Sequence, residues 1–279
     1  MSYVLCCVDG KNYSQSACDY AVLISNNMNL PLKFLNIVEH SSKSDTLDLS
    51  GNIKLGEKDD ILEQRAQEEG VRSKLAIKEG KELLVSLKKR ALISCTNEIT
   101  LIQMHGDVLE NILALEEKIA VLIIGIKSHE NHKIGANVKD IIREIKKPVL
   151  LVNSDFINPK KLLIAYNGSE KSKNFLIETS KKPIFKNVLR DIVNVNSNKA
   201  HSDKLLDEAK EIYEKQEISV ETSALNGDTK TEILIHLGQN DCDILAMGAF
   251  GHSRIKEFIF GSLTGEILEQ CKKPILLFK

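Results

Sequence analysis

Apolar and polar residues alternate along this chain in short blocks of two kinds. Brief runs rich in Val, Ile, Leu and Cys carry the pattern of strands buried on both faces. In the first half these are residues 2–8, "PLKFLNIV", "EITLIQM", "AVLIIG" and "PVLLV". Longer stretches between them repeat their apolar positions at helical spacing. One starts at about Ser14, with Ala17, Ala21, Val22 and Ile24 on its apolar face. A long one runs from about Asp60 to Leu92, another over 108–118 with Leu109, Ile112 and Leu113 on one side, and a last over 137–146. Strands separated by helices predict a parallel sheet covered on both faces.

The same order is then written again. "YVLCCVDGKNYSQSA" returns as "KLLIAYNGSEKSKNF", "MHGDVLENIL" (104–113) as "LNGDTKTEIL" (225–234), and residues 121–152 as 244–278. Three landmarks in one order predict two homologous domains, about 1–153 and 160–279, joined by "SDFINP" at 154–159. The second copy is shorter: residues 194–217 hold one modest helix where the first has a polar insert (41–60) and the long helix. Both last strands begin with proline, Pro148 and Pro274. Proline is tolerated at a strand start or a sheet edge, and bare apolar edges invite aggregation unless they pair. Residues 149–152 and 275–278 are therefore expected to pair across a pseudo-two-fold axis.

Composition narrows the function. A formal net charge of −1 calls for neither nucleic acid nor an anionic membrane. With no Trp and 5% aromatics, a base-stacking surface for single strands is not expected either. No signal peptide and no membrane-spanning run is visible, so the expected location is the cytoplasm. None of the six cysteines forms a C-x-x-C pair, and the adjacent Cys6 and Cys7 point to opposite faces of a strand. Free, mostly buried thiols are the expectation. His129 and His132 lack a further ligand cluster and read as a solvated loop, and no carboxylate is placed to orient His252 as a base. No catalytic residue and no metal ligand is assigned.

The stretch "MGAFGHSRIKEFIFGS" (247–262) holds the strongest candidate chemistry. Gly248 ends a strand, and Gly261 and Ser262 open a helix. Ligands of open parallel sheets bind beyond the strand C-termini, and helix N-termini offer free N–H groups to phosphate. Glycine lets the backbone approach an anion, Ser262 and Thr264 add hydroxyls, and His252, Arg254 and Lys256 can reach a terminal phosphate. G-x-x-x-x-G-K-[ST] and G-x-G-x-x-G are both absent.

Gly248, Gly251, Gly261 and Ser262 reproduce G-x2-G-x9-G-[ST], and on these residues the chain resembles the universal stress protein family. "VDG" (8–10), "YNG" (166–168), both "GD" turns and both Pro-led last strands extend the resemblance over nearly all of the chain. It implies an α/β fold of two tandem five-stranded parallel-sheet domains, Rossmann-like and of the adenine nucleotide alpha hydrolase type, packed as a pseudo-dimer through their last strands. It also implies ATP as ligand, with Mg2+ as its optional counter-ion, and an acidic residue after the first strand that reaches the adenosine. That residue is Asp9 in the first domain, where it is expected mainly to order its own turn. In the second it is Asn167, which hydrogen-bonds but carries no charge.

The glycine loop shows the opposite asymmetry. The first copy reads Gly125, Ile126, Lys127, Ser128, six residues, then Gly135 and Ala136: three residues shorter, with a serine for the second glycine and an alanine for the serine. The second domain is therefore the expected binder. The contacts the resemblance implies are Ala165, Tyr166, Asn167, Val195, Met247, Gly248, Gly251, Gly261, Ser262, Leu263 and Thr264. The expected function is an ATP-binding universal stress protein with a regulatory or stress-response role. The alternatives are a nucleotide-independent interaction scaffold and a slow ATP hydrolase or self-phosphorylating enzyme. Expected partners are an adenine nucleotide and a protein, with the chain a monomeric pseudo-dimer or a homodimer.

Overall fold

The computed structural model describes residues 1–11, 13–39, 57–126, 135–181, 184–248 and 263–279, with backbone only at 57–69 and 136. The first half contributes β1 (Tyr3–Cys7), α1 (Ser14–Met28), β2 (Leu32–Val38), α2 (Glu57–Ala91), β3 (Ile99–His105), α3 (Val108–Leu115), β4 (Ile119–Gly125), α4 (Ala136–Glu144) and β5 (Val149–Val152). The second contributes β6 (Lys161–Ala165), α5 (Glu170–Lys181), β7 (Leu189–Val195), α6 (Lys199–Glu214), β8 (Val220–Leu225), α7 (Thr229–Gln239), β9 (Ile244–Gly248), α8 (Leu263–Gln270) and β10 (Ile275–Phe278). The helix expected from Asp60 begins at Glu57, inside the polar insert; the rest of that insert lies outside the described residues.

All ten strands form one sheet in the order β3-β2-β1-β4-β5-β10-β9-β6-β7-β8. Every neighbouring pair is parallel except the central one, where β5 and β10 run antiparallel. Leu150 stands opposite Leu276, with Leu151 opposite Ile275 and Val149 opposite Leu277. These matches are symmetric, so a pseudo-dyad passes between Leu150 and Leu276, as the proline-led strands led us to expect. All eight residues of the two strands are buried. Full burial of such a side chain is worth about 1.5–3 kcal/mol, so this seam is a core and not a sheet edge.

Alternation along the strands divides the apolar side chains between two layers. Val4, Cys6, Val121, Ile164 and Leu276 pack beneath α1, α2, α5 and α6. Tyr3, Leu5, Leu122, Leu163 and Leu245 pack beneath α3, α4, α7 and α8. Cys6 and Cys7 do face opposite layers. All six cysteines are free thiols; burial lifts Cys7 and Cys18 to about 12 and Cys242 and Cys271 to about 11, which keeps these four protonated at neutral pH.

Polar bonds join the two halves outside the central seam as well. The Asn153 amide donates to the Cys271 carbonyl at 2.7 Å, and Asn27 donates to the Ile184 carbonyl at 3.0 Å. Phe156, in the connecting segment, packs edge-on against Tyr20 with ring centres 4.8 Å apart. The equivalent sheet positions on the other side layer have diverged. In the first half the Lys33 ammonium sits 4.0 Å from the centre of the Tyr3 ring. In the second, Lys161 pairs with Asp191 at 3.3 Å and Glu221 at 2.7 Å, and His236 meets Asp191 at 2.8 Å.

One buried polar arrangement positions the first strand end. Asn36 Nδ2 donates to the Val8 carbonyl at 3.0 Å, while Gln103 Nε2 donates to Asn36 Oδ1 at 3.2 Å and to the Ile77 carbonyl at 3.0 Å. There is room for this only because residue 80 of α2 is glycine: a Cβ there would lie 2.1 Å from Asn36 Oδ1 and 2.5 Å from Gln103 Nε2. A Cβ on Gly70, in the same helix, meets nothing within 4 Å. Gly80→Ala is therefore expected to destabilise by about 1–3 kcal/mol despite a better helix former. Gly70→Ala should instead stabilise by about 0.5–1 kcal/mol. Urea unfolding of the two variants checks the opposite signs.

Candidate functional site

Strand order reverses between β1 and β4 in the first half and between β6 and β9 in the second. The crevice beyond the carboxyl ends of such a strand pair is where open α/β sheets take ligands. In the second half Ala165, the last residue of β6, stands beside Met247, and Gly248 ends β9 beside Phe278. Val195 ends β7 one strand over. Ala165, Val195 and Met247 all turn toward the α7/α8 layer, so the strand ends present a small apolar floor on that side. The amino end of α8 brings Leu263, exposed, and Thr264, buried.

Tyr166 contributes backbone and not its ring to this crevice. Its N–H donates to the Val193 carbonyl at 2.9 Å, and its carbonyl accepts from Asn194 Nδ2 at 2.7 Å. The ring is buried, and its hydroxyl lies 3.5 Å from Glu208 on α6. Burial first, then the Glu208 carboxylate, lift the phenol to about 12, so it stays protonated. Asn194 is the counterpart of Asn36, and each ties down the carbonyl just before the Asx residue of its half. An asparagine inside an apolar strand was the sequence signal for this pair, and it went unread.

Asn167 is exposed past the end of β6. Its Oδ1 accepts from the Ser169 N–H at 3.1 Å and the Ser172 hydroxyl at 2.9 Å. Asp9 does the same in the first half, accepting from the Lys11 N–H at 3.0 Å. Each is followed by a glycine in the left-handed region, Gly168 at φ +73° and Gly10 at +76°. At Gly168 a Cβ would also meet Leu205 at 2.6 Å. The turn thus consumes the acceptor oxygen of Asn167, and what the side chain can offer outward is an N–H donor.

The two helix ends at the crevices differ. In the first half Asn137, in the first turn of α4, donates to the Glu39 carboxylate at 2.7 Å, so an internal anion faces that helix end. By alignment of Asn36 with Asn194 the position of Glu39 is taken by Ser197, which is neutral and exposed. Near α8, Lys230 at the start of α7 reaches Glu266 at 2.8 Å, a basic group that sequence reasoning did not single out. Gly251, Gly261 and Ser262 lie outside the described residues, as do His129, His132, His252, Arg254 and Lys256. Among the described residues no group of His, Cys, Asp and Glu is placed to hold a metal ion, and no helix is long and apolar enough to cross a membrane.

Comparison with known proteins agrees with this architecture. A family model described as "Universal stress protein family" matches residues 1–153 and 188–279. The chain belongs to the universal stress protein family. Universal stress protein Slr1230 of Synechocystis sp. (strain ATCC 27184 / PCC 6803 / Kazusa) is 27% identical over 288 residues, covering 100% of both chains. Universal stress protein YxiE of Bacillus subtilis (strain 168) is 29% identical over 76 residues, 27% of this chain and 51% of that protein. A universal stress protein structure from Archaeoglobus fulgidus DSM 4304 matches with a TM-score of 0.73 at 15% identity, over 100% of this chain and 99% of that one, a likeness of fold.

The "GD" turns follow β3 and β8, the outer strands of the sheet, and cap the helices that come next. Asp107 accepts from the Glu110 N–H at 2.9 Å, and Asp228 from the Thr231 N–H at 3.0 Å and its hydroxyl at 2.6 Å. The Thr231 hydroxyl, and then its N–H, hold the Asp228 carboxyl below its ordinary value of 3.8. A depressed folded-state value means stability that is complete above the ordinary value and lost as pH falls through the folded one. The advantage of the wild type over Asp228→Asn should therefore be present at neutral pH and be lost as the carboxyl protonates in acid. Urea midpoints of both proteins across the acid range check this.

Proposed function

We propose that this chain is an ATP-binding regulatory protein with one nucleotide site, at the switch point of its second half. The observation that carries the reading is the convergence at one crevice of an apolar floor (Ala165, Val195, Met247), an outward N–H donor and a helix amino end. An adenine ring fits the first, a ribose hydroxyl the second and phosphate oxygens the third. Gly248, Gly251, Gly261 and Ser262 enter by spacing and family pattern, with the backbone N–H groups of that loop as the phosphate cradle and Leu263 and Thr264 following it. A bound Mg2+ would be held by phosphate oxygens. Asn167 would donate to the ribose where an aspartate would accept.

In the first half the Glu39 carboxylate beside α4 opposes a second anion, so the site count is one and that half is left to other partners. The domain division this uses is 1–153, a link at 154–159, and 160–279. Identification of any small molecule released on heating the purified protein, followed by calorimetric titration of ATP, tests the reading. One site per chain is expected, with affinity reduced at least about tenfold by Gly251→Val. Unchanged binding by the variant would sink the loop assignment. ADP forming in proportion to protein would favour the hydrolase.

A further inference from the structure

Helix α2 is longer than the sheet beneath it needs. Its 35 residues span about 52 Å at 1.5 Å per residue. The carboxyl half is seated: Gly80, Leu84, Leu87 and Ala91 are buried, at the spacing of one helix face. Residues 70–75 are all exposed. Helical turns without tertiary support are marginal in water, so the exposed stretch at 70–75 gains from something to lie against.

The exposed side is patterned. Val71 is 66% exposed, Leu75 53% and Val85 47%, large values for side chains of this kind. At 100° per residue these three cluster on the side diametrically opposite the buried row that begins at Gly80. The positions that continue the row between them, 78 and 82, hold Lys78 and Glu82, which pair with each other at 3.9 Å. The resulting series 71, 75, 78, 82, 85 steps by four and three residues in turn, the repeat of a helix that packs along a second helix.

Charge along the helix selects the second helix. Residues 57–69 carry six acidic and two basic side chains, a net of −4. Residues 72–90 carry seven basic and two acidic ones, a net of +5. A parallel neighbour of the same sequence would set like charge on like. An antiparallel one sets the acidic half on the basic half twice, about a dyad close to residue 73, where Val71 meets Leu75 of the other copy.

We propose that the outer face of α2 is a self-association surface on which a second copy of this chain docks its own α2 antiparallel. It is independent of the nucleotide site and of the β5–β10 seam, which is already satisfied within one chain.

Sedimentation of the full chain from about 1 to 100 µM tests the proposal. A reversible dimer is expected, its dissociation constant rising at least about tenfold for Val71→Glu with Leu75→Glu. At the dilute end of this range, where association contributes least, circular dichroism of that variant should match the wild-type folded spectrum, which separates lost association from lost folding. Lys78→Glu with Lys81→Glu, which leaves the apolar row intact, should also weaken the dimer. Added salt should weaken it too, whereas salt would strengthen a parallel pairing of like charges. A chain monomeric throughout this range, a dimer indifferent to the two glutamates, or one strengthened by salt overturns the proposal.

Discussion

The antiparallel pairing of β5 with β10 is the constraint on which the rest of this molecule depends. Each half has two ends to its sheet, and only one of them can be left to water at low cost. Strands β3 and β8 close the outer ends beneath α2 and α6. The inner ends are the four-residue runs Val149–Val152 and Ile275–Phe278, apolar at every position and therefore unsuited to be edges. Their union turns two exposed liabilities into the middle of a ten-stranded sheet. It also fixes where everything else sits. Because β4 and β9 flank the seam, both switch points lie one strand further out, related by the same dyad.

Duplication within one chain has let matched positions take different chemistry while the frame stayed constant. Asn36 and Asn194 kept the same task, anchoring the carbonyl that precedes the Asx turn. Asp9 and Asn167 kept the turn and lost the common charge. Lys33 over Tyr3 became Lys161 between Asp191 and Glu221, so an aromatic contact in one half is an ion-pair network in the other. A symmetric homodimer must carry each change in both copies, whereas here one crevice can change alone. The Glu39–Asn137 contact, with Ser197 at the corresponding place, is such a change.

Much of the frame was legible in the sequence because it rests on short-range patterns. Apolar runs, helical spacing and the second writing of three landmarks were enough for element order and parallel pairing. The Pro-led runs foretold the central seam, since a proline start and unbroken apolarity together describe an edge that must be covered. The start of α2 was placed a few residues late because its first turn is polar, and neither end of a polar helix leaves a periodic signal. At the crevice the sequence named the strand-end residues but not their roles. That the Tyr166 ring points into the core depends on the space beside α6, and that Asn167 spends its acceptor on Ser169 and Ser172 depends on a turn closed in three dimensions. Nothing in the sequence marked Gly80, because its need for a missing side chain depends on Asn36 and Gln103, which the fold brings beneath it.

The seam also has a consequence for how the chain comes to exist. Leu151 pairs with Ile275, so the central ladder joins residues that are separated by most of the second half. Ladders of such long range close late, after the local parts have formed. On the ribosome β5 emerges well before β10, its partner strand, which lies more than a hundred residues further along the chain. Until then Val149–Val152 is a naked apolar edge, open to any strand that passes, including the same segment of a neighbouring nascent chain. The contact that makes the finished molecule one body is the one that leaves it most vulnerable during synthesis.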